Sequence, residues 1–144
     1  MPKNLIYKKI DKNLPDPKYQ TKGSVGFDLY SRIDITIKPH QIELVPTNLI
    51  VKIPKDYFLM ITSRSSTPIK KHLFVANGVG VIDQDYHGDQ DEIKLEFYNF
   101  SNKSVKIEKG ERVAQALLVK ISTLKLKLQN FNKKISRGGF GSTK

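Results

Sequence analysis

The chain has no cysteine. Disulfides, thiolate nucleophiles and zinc sites built on Cys are therefore excluded. Its three histidines, His40, His72 and His87, are scattered without metal-ligand spacing. No apolar run approaches the roughly 20 residues that span a bilayer. The first residues, MPKNLIYKKIDK, lack the apolar core of a signal peptide. These absences predict a soluble protein of the cytoplasm (or of the nucleus, if eukaryotic) with no membrane partner.

Arginine is also scarce. The net charge is +11, from 25 basic and 14 acidic residues, yet only Arg32, Arg64, Arg112 and Arg137 are arginines. A lysine excess spread over solvated faces explains most of that charge without any anionic partner. Three of the four arginines, however, fall in short glycine- and serine-bearing segments: SRSS (63–66), GERVAQ (110–115) and RGGFGST (137–143). Arginine grips phosphate as a planar fork, which lysine cannot do. Scarce arginine placed in this way favours polyphosphate binding over general stickiness.

At 144 residues the chain forms one domain, long enough to bury a core without staples. Short apolar runs recur between turn residues, at 5–10, 25–30, 33–37, 42–45, 49–53, 57–61, 73–76, 80–82, 93–98, 105–107, 113–121 and 124–128. Ile33, Ile35 and Ile37 alternate strictly with polar residues, as do Leu124, Leu126 and Leu128, which is strand periodicity. The fold class expected is all-β, a jelly-roll-like β-sandwich. One short helix is expected over 65–72, with Pro68 in its first turn. Residues 11–24 read as a surface loop. Residues 129–144 have little to bury and read as a flexible arm after a β domain spanning 1–128.

Two further segments carry chemistry: GVIDQDYHG (80–88) and GFDLYS (26–31). Asp83 ends an apolar strand, with an aromatic ring, Tyr86, three residues on. A carboxylate beside a flat ring can orient a water and hold a sugar. Asp83 could equally cap the turn that follows it, and Tyr86 could be an ordinary core or edge ring. Asn77-Gly78 reads as a hairpin turn. Ser65 could be a helix N-cap or, with Arg64 and Ser66, part of an anion cradle. The glycines of the arm let a backbone wrap phosphates. The same RGGFG flavour occurs in disordered RNA-binding segments.

Taken in order, the five segments resemble the trimeric dUTP pyrophosphatases (dUTPases), over residues 24–143. The resemblance implies hydrolysis of dUTP to dUMP and pyrophosphate. It implies that Asp83 orients the attacking water and holds the sugar 3′-hydroxyl, and that Tyr86 packs under the deoxyribose. Asn77 and the backbone at Gly80 would read uracil. Arg64, Ser65, Ser66 and Gln115 would hold phosphate. Arg137, Phe140, Gly141 and Ser142 would close over the nucleotide from the arm. Arg112 would be a structural ion-pairing residue. Asp28 would support the metal-triphosphate region without ligating metal itself. Mg²⁺, the implied cofactor, would be held mainly by phosphates and water. The implied assembly is a homotrimer with sites shared between chains.

The chain also departs from the family. Thr67-Pro68-Ile69 stands where Leu-Ala is more usual, and His87 where Arg or Gln is common. Asp89-Gln90-Asp91 lengthens the loop after Gly88 by about three residues. In the arm, Arg137 and Phe140 stand two residues closer than in the usual RGxGGFGST. A related alternative is dCTP deaminase, alone or bifunctional, because Glu96 in LEFYN (95–99) resembles that family's catalytic strand glutamate. Against it, no Arg follows the serine segment at 68–70, Tyr86 replaces the usual Trp, and the Phe-Gly-Ser-Thr tail is present. A nucleic-acid-binding β domain would need aromatics exposed on a strand face. No such cluster is legible in the sequence, so a nucleic-acid partner is not expected.

Overall fold

The computed structural model describes residues 3–132 and 134–143. Most of the apolar runs become strands; in Lys94–Asn99 alternation buries one side, while Phe27–Tyr30 is buried at every position. In chain order the strands are β1 (Ile6–Lys9), β2 (Phe27–Tyr30), β3 (Ile35–Ile37), β4 (Ile42–Pro46), β5 (Leu49–Lys52) and β6 (Tyr57–Ser63). After the helix α1 (Thr67–Lys71) come β7 (Leu73–Val75), β8 (Gly80–Ile82), β9 (Lys94–Asn99), β10 (Val105–Ile107) and β11 (Arg112–Lys120). The strands pair antiparallel in two main sheets, of order β2-β11-β6-β8 and β4-β9-β7. The pairs β1-β5 and β10-β3 flank them. This is the expected all-β, jelly-roll-like sandwich.

The core lies between the two main sheets. Leu29, Leu59, Ile61, Ala114 and Ala116 of one sheet meet Val45, Leu73, Val75, Leu95 and Phe97 of the other. β9 shows how the pattern works. Leu95, Phe97 and Asn99 are buried, while Lys94 and Glu96 face solvent. Each fully buried Leu, Ile or Phe contributes roughly 1.5–3 kcal/mol of hydrophobic stabilisation.

The helix is shorter than expected, five residues with Pro68 in its first turn. His72 adopts a left-handed conformation (φ 55°) and donates its backbone N–H to the Pro68 carbonyl, which closes the helix. Lys71 pins its end through Glu111 at 2.7 Å.

Three expectations need correction. Residues 124–128 are not a strand. Leu124, Leu126 and Leu128 are 82%, 102% and 99% exposed, because no strand edge among the described residues of the same chain receives them. The turn at Asn77-Gly78 is real, with Gly78 at φ +82°, but it does not close a hairpin. β7 pairs with β9, and β8 pairs with β6, so this turn carries the chain from one sheet to the other. An aromatic row also exists on the outer face of β4-β9-β7. The partly exposed Phe74 lies between Tyr98 and Phe100, with ring centroids 5.4 and 5.9 Å away. The sequence could not reveal it, because Phe74 and Tyr98 become neighbours only through the pairing of β7 with β9.

Candidate active site

The polar residues singled out from sequence gather into two groups. The first lies where β6 ends. Asp28 on β2 stands opposite Gln115 on β11, and Gln115 stands opposite Thr62 on β6. A register shift in β11 between Arg112 and Ala114 turns the Arg112 side chain back toward β2. The buried Asp28 carboxylate then receives two guanidinium groups. Arg64 Nε lies 3.3 Å from Oδ1, and Arg112 Nη1 lies 3.2 Å from Oδ2. One negative charge between two positive ones leaves the group net cationic. Arg112 is thus an ion-pairing residue, as expected, and Asp28 sets the pose of Arg64.

Gln115 Nε2 donates to the Ser63 carbonyl at 3.4 Å, which points its amide along the same strand end. A Cβ at Gly26 would lie 3.3 Å from Gln115 Oε1, so glycine there keeps the amide in place. Ser65 is exposed and Ser66 half-buried. Ser66 occupies the N-cap position of α1 but makes no side-chain cap hydrogen bond. Among the described residues both hydroxyls are unengaged. A helix of one turn has little dipole to offer, so charge and hydroxyls must do the binding here.

The second group lies on the connection after the sheet crossing. Asn77 is exposed at the turn, and Gly80 packs against Ile61, where a Cβ would approach to 3.3 Å. Asp83 follows β8 and is exposed. The turn after it is closed by the backbone, Tyr86 N–H to Asp83 O at 3.3 Å. Among the described residues the Asp83 carboxylate has no hydrogen-bond or ion-pair partner. Turn-capping by that side chain is therefore not what the structure contains. Asp83 lines an open cleft with Lys55, Asp56, Asp85 and Thr123.

The loop of three additional residues is structured. Gly88 N–H donates to Asp91 Oδ2 at 2.7 Å, and Lys8 on β1 pairs with Asp89. That lysine hydrogen bond holds the Asp89 carboxyl below the usual carboxylate range. Next comes Glu92, to which the sequence alone assigned no role. It is buried and takes a bidentate pair from Arg32, at 2.8 and 2.9 Å. The one arginine outside the five segments is thus structural.

Gly80 pairs with Ile61, toward the Arg64 end of β6, but Asp83 does not meet the Asp28–Arg64 group within one chain. Ile82 pairs with Leu59 near one end of β6, while Arg64 follows the other end. At about 3.3 Å per residue, Asp83 and Arg64 stand roughly 20 Å apart along that strand. The arm joins neither group. Arg137, Phe140, Gly141 and Ser142 are all exposed, Phe140 at 114%. Lys133 and Lys144, within the arm, lie outside the described residues. Among the described residues no group of three or more His, Asp or Glu could hold a metal ion, and no helix is long and apolar enough to cross a membrane.

The comparisons with known proteins point to one family. Residues 12–144 fit the sequence model of the dUTPases. The chain belongs to the dUTPase family. The deoxyuridine 5′-triphosphate nucleotidohydrolase of Helicobacter pylori is 38% identical over 137 residues, covering 94% of this chain and 92% of that protein. The enzyme of the same name from Finegoldia magna is 40% identical over 135 residues, covering 91% and 92%. Among solved structures, the dUTPase of Staphylococcus bacteriophage 80alpha with dUPNHPP superposes with a TM-score of 0.86 at 28% identity, covering 99% of each chain. The dUTPase fold thus extends over nearly the whole chain.

Proposed function

We propose that this dUTPase-family chain hydrolyses dUTP to dUMP and pyrophosphate, with Asp83 orienting the attacking water. The observation that carries this reading is the polar end of β6. There Arg64, posed by the buried Asp28 carboxylate, and the Gln115 amide stand beside the Ser65 and Ser66 hydroxyls, which make no hydrogen bond among the described residues. That donor set suits the oxygens of a polyphosphate. Asp83, exposed and unpartnered, is free to accept a hydrogen bond from water. Tyr86 offers a flat, partly exposed face for a sugar lacking a 2′-hydroxyl, and Asn77 and the Gly80 backbone offer paired donors and acceptors for uracil. A buried reading of uracil rejects cytosine because exchanged donor and acceptor leave polar groups unpaired. Mg²⁺, held by the phosphates and water, would offset triphosphate charge. Asp28 fits a supporting role, since both of its oxygens are already engaged by arginine.

Glu96 faces solvent on β9, consistent with a strand glutamate that takes no part in chemistry. The functional test reads pyrophosphate and ammonia separately for dUTP, dCTP, dTTP and UTP. The expected result is pyrophosphate from dUTP, little from the others, and no change in Glu96→Gln. Equal rates on dTTP and dUTP would overturn the uracil reading. Ammonia from dCTP that vanishes in Glu96→Gln would establish the deaminase instead. The aromatic row on β4-β9-β7 gives little support to nucleic-acid stacking, because Phe74 and Tyr98 meet edge to face, at 62°, and so cover one another.

The working particle in this reading is a homotrimer. Three observations support it. The water-orienting and phosphate-holding groups of one chain stand at opposite ends of β6, so a second copy must complete each site. Leu124, Leu126 and Leu128 present an alternating apolar row to solvent, and Ile42, Leu44, Phe74 and Phe100 expose a further apolar face. The arm, residues 129–144, would close over a site as a lid. Light scattering should give three copies of 16.4 kDa. A fully active monomer would contradict the shared site.

A further inference from the structure

The loop that carries Asp83 and Tyr86 is held at its far end by a buried knot around Glu92. Glu92 is 4% exposed. Its Oε1 accepts from Arg32 Nε at 2.8 Å and from the Asn48 backbone N–H at 2.9 Å, and its Oε2 accepts from Arg32 Nη2 at 2.9 Å. Asn48 is itself clamped. Its side-chain oxygen accepts from Asp11 N–H at 2.6 Å, and its side-chain nitrogen donates to the Asp11 carbonyl at 2.9 Å. The next peptide is equally fixed, since the Ile93 carbonyl accepts from both the backbone N–H and the hydroxyl of Thr47, at 3.0 and 2.7 Å. The Glu92 carbonyl therefore has little freedom. Onto that carbonyl the Tyr86 hydroxyl donates, at 3.3 Å. Tyr86 is pinned at both ends, by its N–H on Asp83 and by its phenol on Glu92, while the residue as a whole stays 39% exposed.

We infer that Glu92 is a positioning residue for the Tyr86 ring, and that the Arg32–Glu92–Asn48 knot thereby sets how sharply the site separates deoxyribose from ribose. This rests on the reading of Tyr86 as the sugar platform. A platform excludes a 2′-hydroxyl only if it cannot tilt away, and a ring hung from a fixed carbonyl resists tilting. The contact is long for an O–H···O bond, so its removal should cost selectivity by several-fold rather than by orders of magnitude.

The test measures kcat and KM for dUTP and UTP with Mg²⁺, together with the melting temperature. The variants are Tyr86→Ala, Tyr86→Phe, Glu92→Ala, Glu92→Gln and the double variant Tyr86→Phe/Glu92→Ala. Tyr86→Phe should lower the dUTP/UTP ratio of kcat/KM about threefold to tenfold, the size of one neutral hydrogen bond. Glu92→Ala should lower it at least as far. Glu92→Gln, which keeps an acceptor for Arg32 and Asn48, should return the ratio to within about twofold of wild type. The double variant should be no less selective than Glu92→Ala, because both act through one contact. Additive losses would overturn the inference, as would a Glu92→Ala protein that melts lower with its ratio intact. Should Glu92→Ala fail to fold, Tyr86→Phe decides alone, and an unchanged ratio overturns the inference. Tyr86→Ala separates the two levels. If it leaves the ratio intact, the platform reading falls; if it collapses the ratio while Tyr86→Phe does not, only the positioning role falls.

Discussion

Asp83→Asn should lower turnover on dUTP by about a hundredfold to ten-thousandfold, the usual contribution of a positioned acid–base group. Binding of dUTP should survive. The reason is local. The turn at 83–86 is closed by backbone, and the Asp83 carboxylate holds nothing else among the described residues, so an amide of the same shape leaves the fold undisturbed. What the amide removes is the negative charge that orients water. Single-turnover kinetics with a direct measurement of dUTP binding would check this, because a loss confined to the chemical step leaves the dissociation constant in place. A variant with near-normal turnover would mean that another group orients the water.

Deleting residues 136–144 should leave the particle size and melting temperature unchanged and lower turnover by about a hundredfold or more, the scale on which loss of substrate positioning acts. The stability half of this follows from exposure. Arg137, Phe140 and their neighbours bury nothing against the sandwich, so their removal takes no packing away. The activity half follows from backbone form. Gly138 and Gly141 have φ of +83° and +88°, and Ser142 N–H returns to the Gly139 carbonyl at 3.2 Å, so the arm is already turned into a loop that exposes its amides. A Cβ at Gly138 would lie 2.7 Å from the Ser142 Cβ, which makes glycine obligatory for that turn. Closure over a triphosphate would order it. Arg137→Ala should reproduce part of the loss, about tenfold to a hundredfold for a hydrogen-bonded charge. A silent Arg137→Ala beside an inactive deletion would shift the phosphate role to a neighbouring lysine, Lys134 or Lys133, and leave the lid to Phe140 and the backbone.

The class of chemistry is legible in the sequence, because it depends on residue type and local order. The absence of cysteine, the concentration of arginine in serine- and glycine-bearing segments, and an aspartate ahead of a tyrosine at a strand end are all properties of short stretches. Most strands were legible for the same reason, since alternation over four or five residues is a local pattern. What the tertiary structure alone decided is which side of a strand faces what. Leu124, Leu126 and Leu128 alternate as well as any true strand here, yet lie open, because alternation makes a strand only where an edge pairs with it, and no described strand of this chain pairs with 124–128. Glu92 and Glu96 are the same residue type four positions apart. Glu96 points to solvent on β9, while Glu92 is sealed against Arg32, 60 residues away in sequence. Glu92 precedes β9, and its burial is settled by Arg32 and the Asn48 backbone N–H, which only the tertiary fold brings to it. The same holds for the site itself. Candidate residues can be proposed from the sequence, but that β6 separates Asp83 from Arg64 is a consequence of strand register.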